Sequence, residues 1–353
     1  MNNIPKRYVF LCQNKVERYS MSTRVAQKNH IKIIAIAIFL LIGIAASIAS
    51  VCMGSAVFNV QESLKAIFVA DDSAARLIIW NVRLPRIIGG GMVGICLSLA
   101  GCLLQGVMRN HLASPSTIGV TSGASFIAYL TLVVFPHLFY LLPIGAILGA
   151  FITTLGIYLL AFEKGVSPVK MILSGMAVAA VFGAFNDIIR SFFPDRIFNA
   201  TGFLVGSLNG VAWKHIQLIF PYVVIGIIIC LFLPSKMNIL MLGDEMSNSL
   251  GVRTEQFRFL LIIVSSLLSG AAISISGLIN FVGLIVPHIA RLIVGSDYKY
   301  LLPASITLGY SLVVLCDLIG RTILPIGEIS VSIVISFIGA PFFLYLLRSK
   351  STN

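Results

Sequence analysis

The sequence offers chemistry at a few charged positions. Asp317 stands four residues before Arg321, so on a helix the two side chains share a face and form an ion pair. A charge inside an apolar helix is either such a self-satisfied pair or a proton relay, and a partner one turn away favours the pair. Arg83 and Arg86 bracket Pro85 just before a long apolar run. With Arg321 they set three guanidinium groups at one outer rim, where they bind anionic lipid headgroups or the carboxylates of an extracellular partner. The flat two-pronged donor set of Arg suits a carboxylate better than a lysine ammonium does. His288, after Pro287, reads as a hydrogen-bonding core histidine unless a carboxylate faces it.

A second kind of contact lies in the segment Leu242, Gly243, Asp244, Glu245, Met246, Ser247, Asn248, Ser249, Leu250, Gly251 and Val252, a polar helical turn between two apolar runs. Asp244 sits near the positive start of that turn and Gly251 suits its left-handed stop, so the segment predicts a capped knob on the membrane surface. Met246 and Leu250, four apart, share one face and offer a compact apolar contact to a soluble partner; an ordinary polar loop is the alternative.

Other chemistry is missing. No G-x-x-x-x-G-K-[ST] loop occurs, so the chain does not hydrolyse ATP alone. There is no H-E-x-x-H and no His and carboxylate cluster at ligand spacing, and Asp71-Asp72 is followed by Ser73-Ala74-Ala75 rather than by a third acid. Catalytic residues, a metal site and a cofactor are not expected. The six cysteines, Cys12, Cys52, Cys96, Cys102, Cys230 and Cys316, form no C-x-x-C pair and read as small apolar fillers.

The elements that position these residues follow from composition. Apolar residues make up 58% of 353 positions and charged residues 11%, against roughly 25% in soluble domains, so the main solvent of this chain is lipid. Runs free of Asp, Glu, Lys and Arg cover residues 33–53, 87–108, 110–162, 215–235, 259–290 and 329–347. A helix needs about 20 residues to cross a hydrocarbon core of about 30 Å. The two longest runs read as helix pairs, broken at Pro136 and at Gly277 and Gly283. Shorter runs around 171–186 and 300–316 bring the expected count to ten, and 197–213 reads as a short surface or re-entrant helix. A backbone in lipid must satisfy its own hydrogen bonds, and without strand-like alternation the fold is an all-α membrane bundle.

With ten spans and a cytoplasmic N-terminus, seventeen of the 25 basic residues fall inside and eight outside, the sign that the positive-inside rule requires. The inner set includes Arg109, Lys164, Arg253, Arg258 and Arg291; the outer set includes Arg76, Arg83, Arg86, Arg190, Arg196 and Arg321. Topology and anionic lipid then account for the net charge of +12 without nucleic acid. The chain divides into a basic cytoplasmic tail over 1–32, a transmembrane domain over 33–348 and a cytoplasmic tail over 349–353. The first apolar run is too long and too deep for a secretory signal, and Met21 begins a compact leader that is an alternative translation start. Small residues at helix-contact spacing, Gly145 and Gly149, Gly175 with Ala179 and Gly183, and Gly202 with Gly206 and Gly210, read as packing. Leu99-Ala100-Gly101 before Pro115 echoes Leu268-Ser269-Gly270 before Pro287, a faint sign of an inverted repeat.

Together these residues resemble the FecCD family of ABC-importer permeases, which carry iron-siderophore complexes, heme or vitamin B12. The matching stretches are Arg83-Leu84-Pro85-Arg86, Ala100-Gly101 with Gln105, Arg109 through Pro115, Gly119 with Gly123-Ala124, Gly206-Ser207-Leu208, Leu242 through Val252, Gly283 through Arg291, Asp317 with Arg321, and Gly339 through Phe343. The resemblance implies two such subunits, identical or siblings, around a central path, each resting on a cytoplasmic ABC ATPase. It implies that Leu242–Val252 is the coupling segment seated in that ATPase. It also implies that Arg83, Arg86 and Arg321 meet glutamates of an extracellular or periplasmic substrate-binding protein. Departures are Asn110-His111-Leu112-Ala113, where the family has Pro at the second position, Ser247 in place of Ala, and Glu328-Ile329-Ser330-Val331-Ser332, which loses a proline and a glycine. The expected function is the permease of an ATP-driven iron-siderophore importer, with heme or vitamin B12 as other cargoes. An ion-coupled secondary transporter is the rival of another class, and it calls for further carboxylates within the spans.

Overall fold

A computed structural model of the chain describes residues 6–54, 58–69, 73–162 and 167–350; the expectations for Asp71-Asp72, Lys164 and the last three residues lie outside them. Helices dominate. In chain order they are α1 (Lys6–Cys52), α2 (Val60–Phe68), α3 (Ala74–Ile78), α4 (Leu84–Met108), α5 (Val120–Tyr129), α6 (Leu142–Ala161), α7 (Pro168–Phe192), α8 (Ile197–Val205), α9 (Trp213–Phe232), α10 (Pro234–Leu240), α11 (Asp244–Ser249), α12 (Thr254–Ser276), α13 (Val282–Val294), α14 (Tyr298–Thr322) and α15 (Val331–Lys350). Wider π turns extend α4 backwards over Ile79–Arg83 and α5 forwards over Leu130–Val134.

Seven described helices are long and apolar enough to cross a bilayer: Asn29–Cys52, Ala74–Met108, Pro136–Ala161, Pro168–Phe192, Trp213–Phe232, Thr254–Ser276 and Tyr298–Thr322. Three shorter apolar helices accompany them, Val120–Val134, Val282–Val294 and Val331–Leu344, and ten crossings require all three to span. The long run after Arg109 does break at Pro136, which opens a 3-10 turn before α6. The run after Phe259 breaks at Gly277, whose φ of 68° ends α12 in a conformation that L side chains disfavour.

Gly283 is not the second break. It lies inside α13 against α4, where a Cβ on Gly101 would run into the Gly283 carbonyl. In lipid, helices gain little from burying apolar surface against one another, so close backbone approach of this kind supplies the contact. Gly149 against Gly123 and Gly175 against Ile118 work the same way, whereas Gly183, Gly202 and Gly210 meet nothing within 4 Å in this chain.

The axis of the bundle is α4, which buries all but a few of its residues among α9, α12, α13 and α14. Proline at its first turn needs no backbone donor there, and Arg109 closes it at φ 46°. Large apolar side chains on α1, α7 and α9, such as Leu41, Leu173 and Leu231, point outward as lipid-facing surface does. Cys96, Cys102, Cys230 and Cys316 are buried free thiols, in keeping with a filler role.

Candidate functional sites at the two ends of one helix

One end of α4 carries Arg86 and the other runs into Arg109, and a charged cluster forms at each. At the first end Arg86 grips Asp317: Nε lies 3.1 Å from each carboxylate oxygen and Nη2 2.9 Å from Oδ1. Its remaining edge, Nη1, donates to Glu328 at 2.8 Å. Arg321 reaches the same Asp317 with Nε at 3.2 Å and donates through Nη2 to Ser50. Arg83 donates to the Val51 carbonyl at 2.5 Å and lies over the Phe58 ring at 4.8 Å.

This corrects the expectation of an exposed arginine rim. Arg83, Arg86 and Arg321 are 3%, 6% and 7% exposed; Gly54, just after α1, lies against Arg83 and Arg321, Phe58 covers Arg83, and Asp317 with Glu328 encloses Arg86. Nor is the pair of Asp317 with Arg321 self-contained: Asp317 is shared, and Arg86 holds it with more contacts. Spacing on one helix revealed the local partner, whereas Arg86, 231 positions away, carries no sequence signal beyond its charge. Glu328 was visible only as part of a divergent motif.

Beside this cluster lies a cavity of about 480 Å3. Glu328, Ile329 and Ser330 form one wall, and Gly202, Phe203 and Ser207 of the α8 region form another. The chain between α14 and α15 is tied to α14 by the Ile329 amide, which donates to the Gly320 carbonyl at 2.9 Å, and just beyond it the Ser332 amide, at the start of α15, donates to the Gly206 carbonyl at 3.4 Å.

At the opposite end the segment 242–252 forms the expected knob. Gly243 is the N-cap of α11, and the stop has Gly251 at φ 81° with two capping bonds, Val252 N–H to Ser247 O at 3.0 Å and Gly251 N–H to Asn248 O at 3.0 Å. Met246 and Leu250 are 55% and 54% exposed on the expected face, and Leu242, ahead of the N-cap Gly243 and outside the helix, is a third exposed apolar side chain of the segment at 61%. Glu245 is exposed as well. Ser247 and Val252 do not belong to that face. Ser247 is fully buried and donates to Ile239 O at 2.8 Å and Gly243 O at 2.5 Å, and Val252 is buried beneath the stop.

Asp244 lies in the first turn of α11, as expected, and its half-exposed carboxylate is also held by two arginines. Arg258 of α12 closes a fork on it, with Nη2–Oδ1 at 2.6 Å and Nη1–Oδ2 at 3.0 Å, and Arg109 donates to the same carboxylate and, through Nε at 3.1 Å, to Leu240 O. Burial alone would raise the Asp244 pKa, but the Arg258 hydrogen bonds and charge, with those of Arg109, outweigh it and hold the carboxyl below its ordinary range. Arg109 and Arg258 were legible as charges at an inner edge, not as a clamp. Lys32 lies 4.7 Å from the Tyr300 ring and close to Gly295, which puts the start of the first span at this same end. His288 is 6% exposed and packs edge to face on His111, 6.4 Å between centroids, and on Phe342.

Against known proteins, the model of the FecCD transport family matches residues 38–349. The chain is 36% identical over 330 residues to the Fe(3+)-citrate import system permease protein YfmE of Bacillus subtilis, covering 93% of this chain and 98% of that one. It is 33% identical to the iron(3+)-hydroxamate import system permease protein FhuG of the same organism over 92% of this chain and 99% of that one. With the cobalamin import system permease protein BtuC of Halobacterium salinarum it shares 38% identity over 79% of this chain and 75% of that one. A solved structure assigned to the metal-chelate type of ABC transporter, in an inward-facing conformation, superposes with a TM-score of 0.79 at 30% identity, covering 89% of this chain and 98% of that one.

Proposed function

The chain belongs to the FecCD transport family and is a permease of the ABC-importer type, and from that premise we propose that it passes ferric siderophore complexes inward across the cell membrane. Relatives named for ferric citrate and ferric hydroxamate align over more than nine-tenths of the chain and the cobalamin relative over less, which supports an iron chelate ahead of vitamin B12 or heme. In this reading the Asp244 end is cytoplasmic, with both termini on that side, and the Arg86 end receives an external substrate-binding protein. Two permease subunits, identical or siblings, enclose the path, and ATP is hydrolysed by a partner seated on residues 242–252.

The observation that carries the reading is the knob itself. It presents Leu242, Met246 and Leu250 to a soluble partner while Asp244 bolts it to α12 and to the end of α4, so a push on the knob is delivered to the central helices. The ion-coupled rival is poorly supported, because Asp317 is the one buried carboxylate among the described residues and it is consumed by two arginines. Co-purification tests the reading: a tagged chain should bring down an ATPase, and Leu250→Asp or Gly251→Val should lose it while the permease still folds. Uptake should respond to vanadate and not to ionophores. Accumulation of solute against a gradient by the chain reconstituted alone would overturn the scheme.

A further inference from the structure

The two edges of the Arg86 guanidinium are held very differently. Nε and Nη2 are fixed on Asp317, whose side chain is 4% exposed and which Arg321 also holds. Nη1 is held by Glu328, whose side chain is 37% exposed and which sits in the chain between α14 and α15 rather than on a helix. One carboxylate is therefore a permanent counter-ion and the other can leave.

The departure of Glu328 alone would leave the Nη1 edge of the buried Arg86 without its acceptor and the cluster with one negative charge fewer. Exchange avoids that loss: if another carboxylate arrives as Glu328 swings into water, Arg86 keeps both partners and Glu328 regains its hydration. The same swing acts on the cavity, since Glu328, Ile329 and Ser330 are one of its walls, and one backbone bond, from the Ile329 amide to the Gly320 carbonyl, holds that wall in place.

We propose that Glu328 is a built-in stand-in for a carboxylate of the external binding protein, which displaces it from Arg86 on docking and so frees the 323–330 segment to open the adjoining cavity. The proposal rests on reading the Arg86 end as the docking end. It reconciles a docking role for Arg86 with a side chain that is almost fully buried: the partner meets a guanidinium edge already shaped for a carboxylate.

The test uses the complete importer in lipid nanodiscs, titrated with its purified substrate-binding protein. Glu328→Gln removes the competing charge and keeps a hydrogen-bonding side chain of the same size, so affinity should tighten about two- to fivefold, the range a half-exposed pair supports. A cysteine-directed fluorophore at Ile326→Cys, a position 90% exposed on the same segment, should change emission when the binding protein docks, and Glu328→Gln should give part of that change beforehand. Unchanged or weakened affinity in Glu328→Gln overturns the stand-in. If Arg86→Gln, with the ATPase still co-purifying, leaves affinity unaltered, the docking reading itself fails; if it abolishes binding while Glu328→Gln does nothing, docking survives and the exchange does not. An emission change produced by ferric citrate without the binding protein would make the incoming carboxylate the cargo's and overturn the assignment.

Discussion

Asp244 and Arg258 belong to different helices, yet their side chains close a two-pronged fork with contacts of 2.6 and 3.0 Å. Arg258 is 4% exposed and Asp244 about half exposed, so the bond runs from the surface of the knob into the body of the bundle. Together with Arg109 it ties residues 242–252 to the ends of α4 and α12.

Asp244→Asn should therefore uncouple the importer more than it destabilises it. The loss of local stability is about 1–2 kcal/mol, below the figure for a fully buried pair because Asp244 meets water and Arg258 keeps Glu255 at 3.0 Å. ATP hydrolysis by the assembled complex should persist while uptake per ATP falls at least severalfold. Asp244→Glu should restore part of it. Parallel loss of ATPase binding and of the permease fold would show that the fork is merely structural.

The pH profile of this clamp follows from the direction of the shift. A carboxyl held below its ordinary value of 3.8 contributes stability that is fully present above that value and is lost as pH falls through the depressed one. Coupling through Asp244 should be flat from pH 8 to 5. Hydrogen exchange at the Leu250, Gly251 and Val252 amides, which cap the knob, should show no protonation-linked opening until the solution is more acidic than about pH 4.

Asp317→Asn is the severe substitution at the opposite end. It leaves Arg83, Arg86 and Arg321 buried together with Glu328 as their nearest remaining acid, and breaking a buried pair in this way costs about 3–5 kcal/mol. The expected outcome is a large drop in the thermal unfolding temperature in detergent and a failure to assemble. Burial also changes what charge reversal would report. Arg83→Glu with Arg86→Glu would place four acids around one arginine, so this double variant should be lost before any proposed docking can be measured.

What the sequence disclosed and what it hid divide along a physical line. Lipid imposes a length and a composition on every span, so the apolar runs and the break at Pro136 are legible directly. The knob is legible because polarity between apolar runs and a left-handed Gly251 are local facts. Partner choice is not local. Asp317 has a candidate at i+4 and a better one 231 residues earlier, and Asp244 is the helix-start charge the sequence shows while its sharing by Arg258 and Arg109 is not visible there. Glycine is ambiguous for the same reason: Gly277 ends a helix and Gly283 lets one approach another, and a sequence writes both with the same letter.

That difference between the two glycines yields a prediction. Gly277 needs its backbone conformation as well as room for the Phe203 carbonyl, whereas Gly283 and Gly101 need only space, because α4 and α13 touch where neither has a side chain. Gly101→Ala puts a methyl against the Gly283 carbonyl, a backbone atom that cannot rotate aside, so α13 must shift as a unit at a cost of about 1–3 kcal/mol. On α13 the displacement reaches His288 and Arg291, and Arg291 bonds back to Gln105 of α4 one turn beyond the contact, so that 3.4 Å bond should be lost. Gly101→Ala should therefore lower the unfolding temperature and weaken uptake without affecting ATPase co-purification, since the knob is anchored through Arg109 and Arg258 and not through α13. A variant that melts like the wild type would mean that α4 and α13 are not in close contact in the membrane.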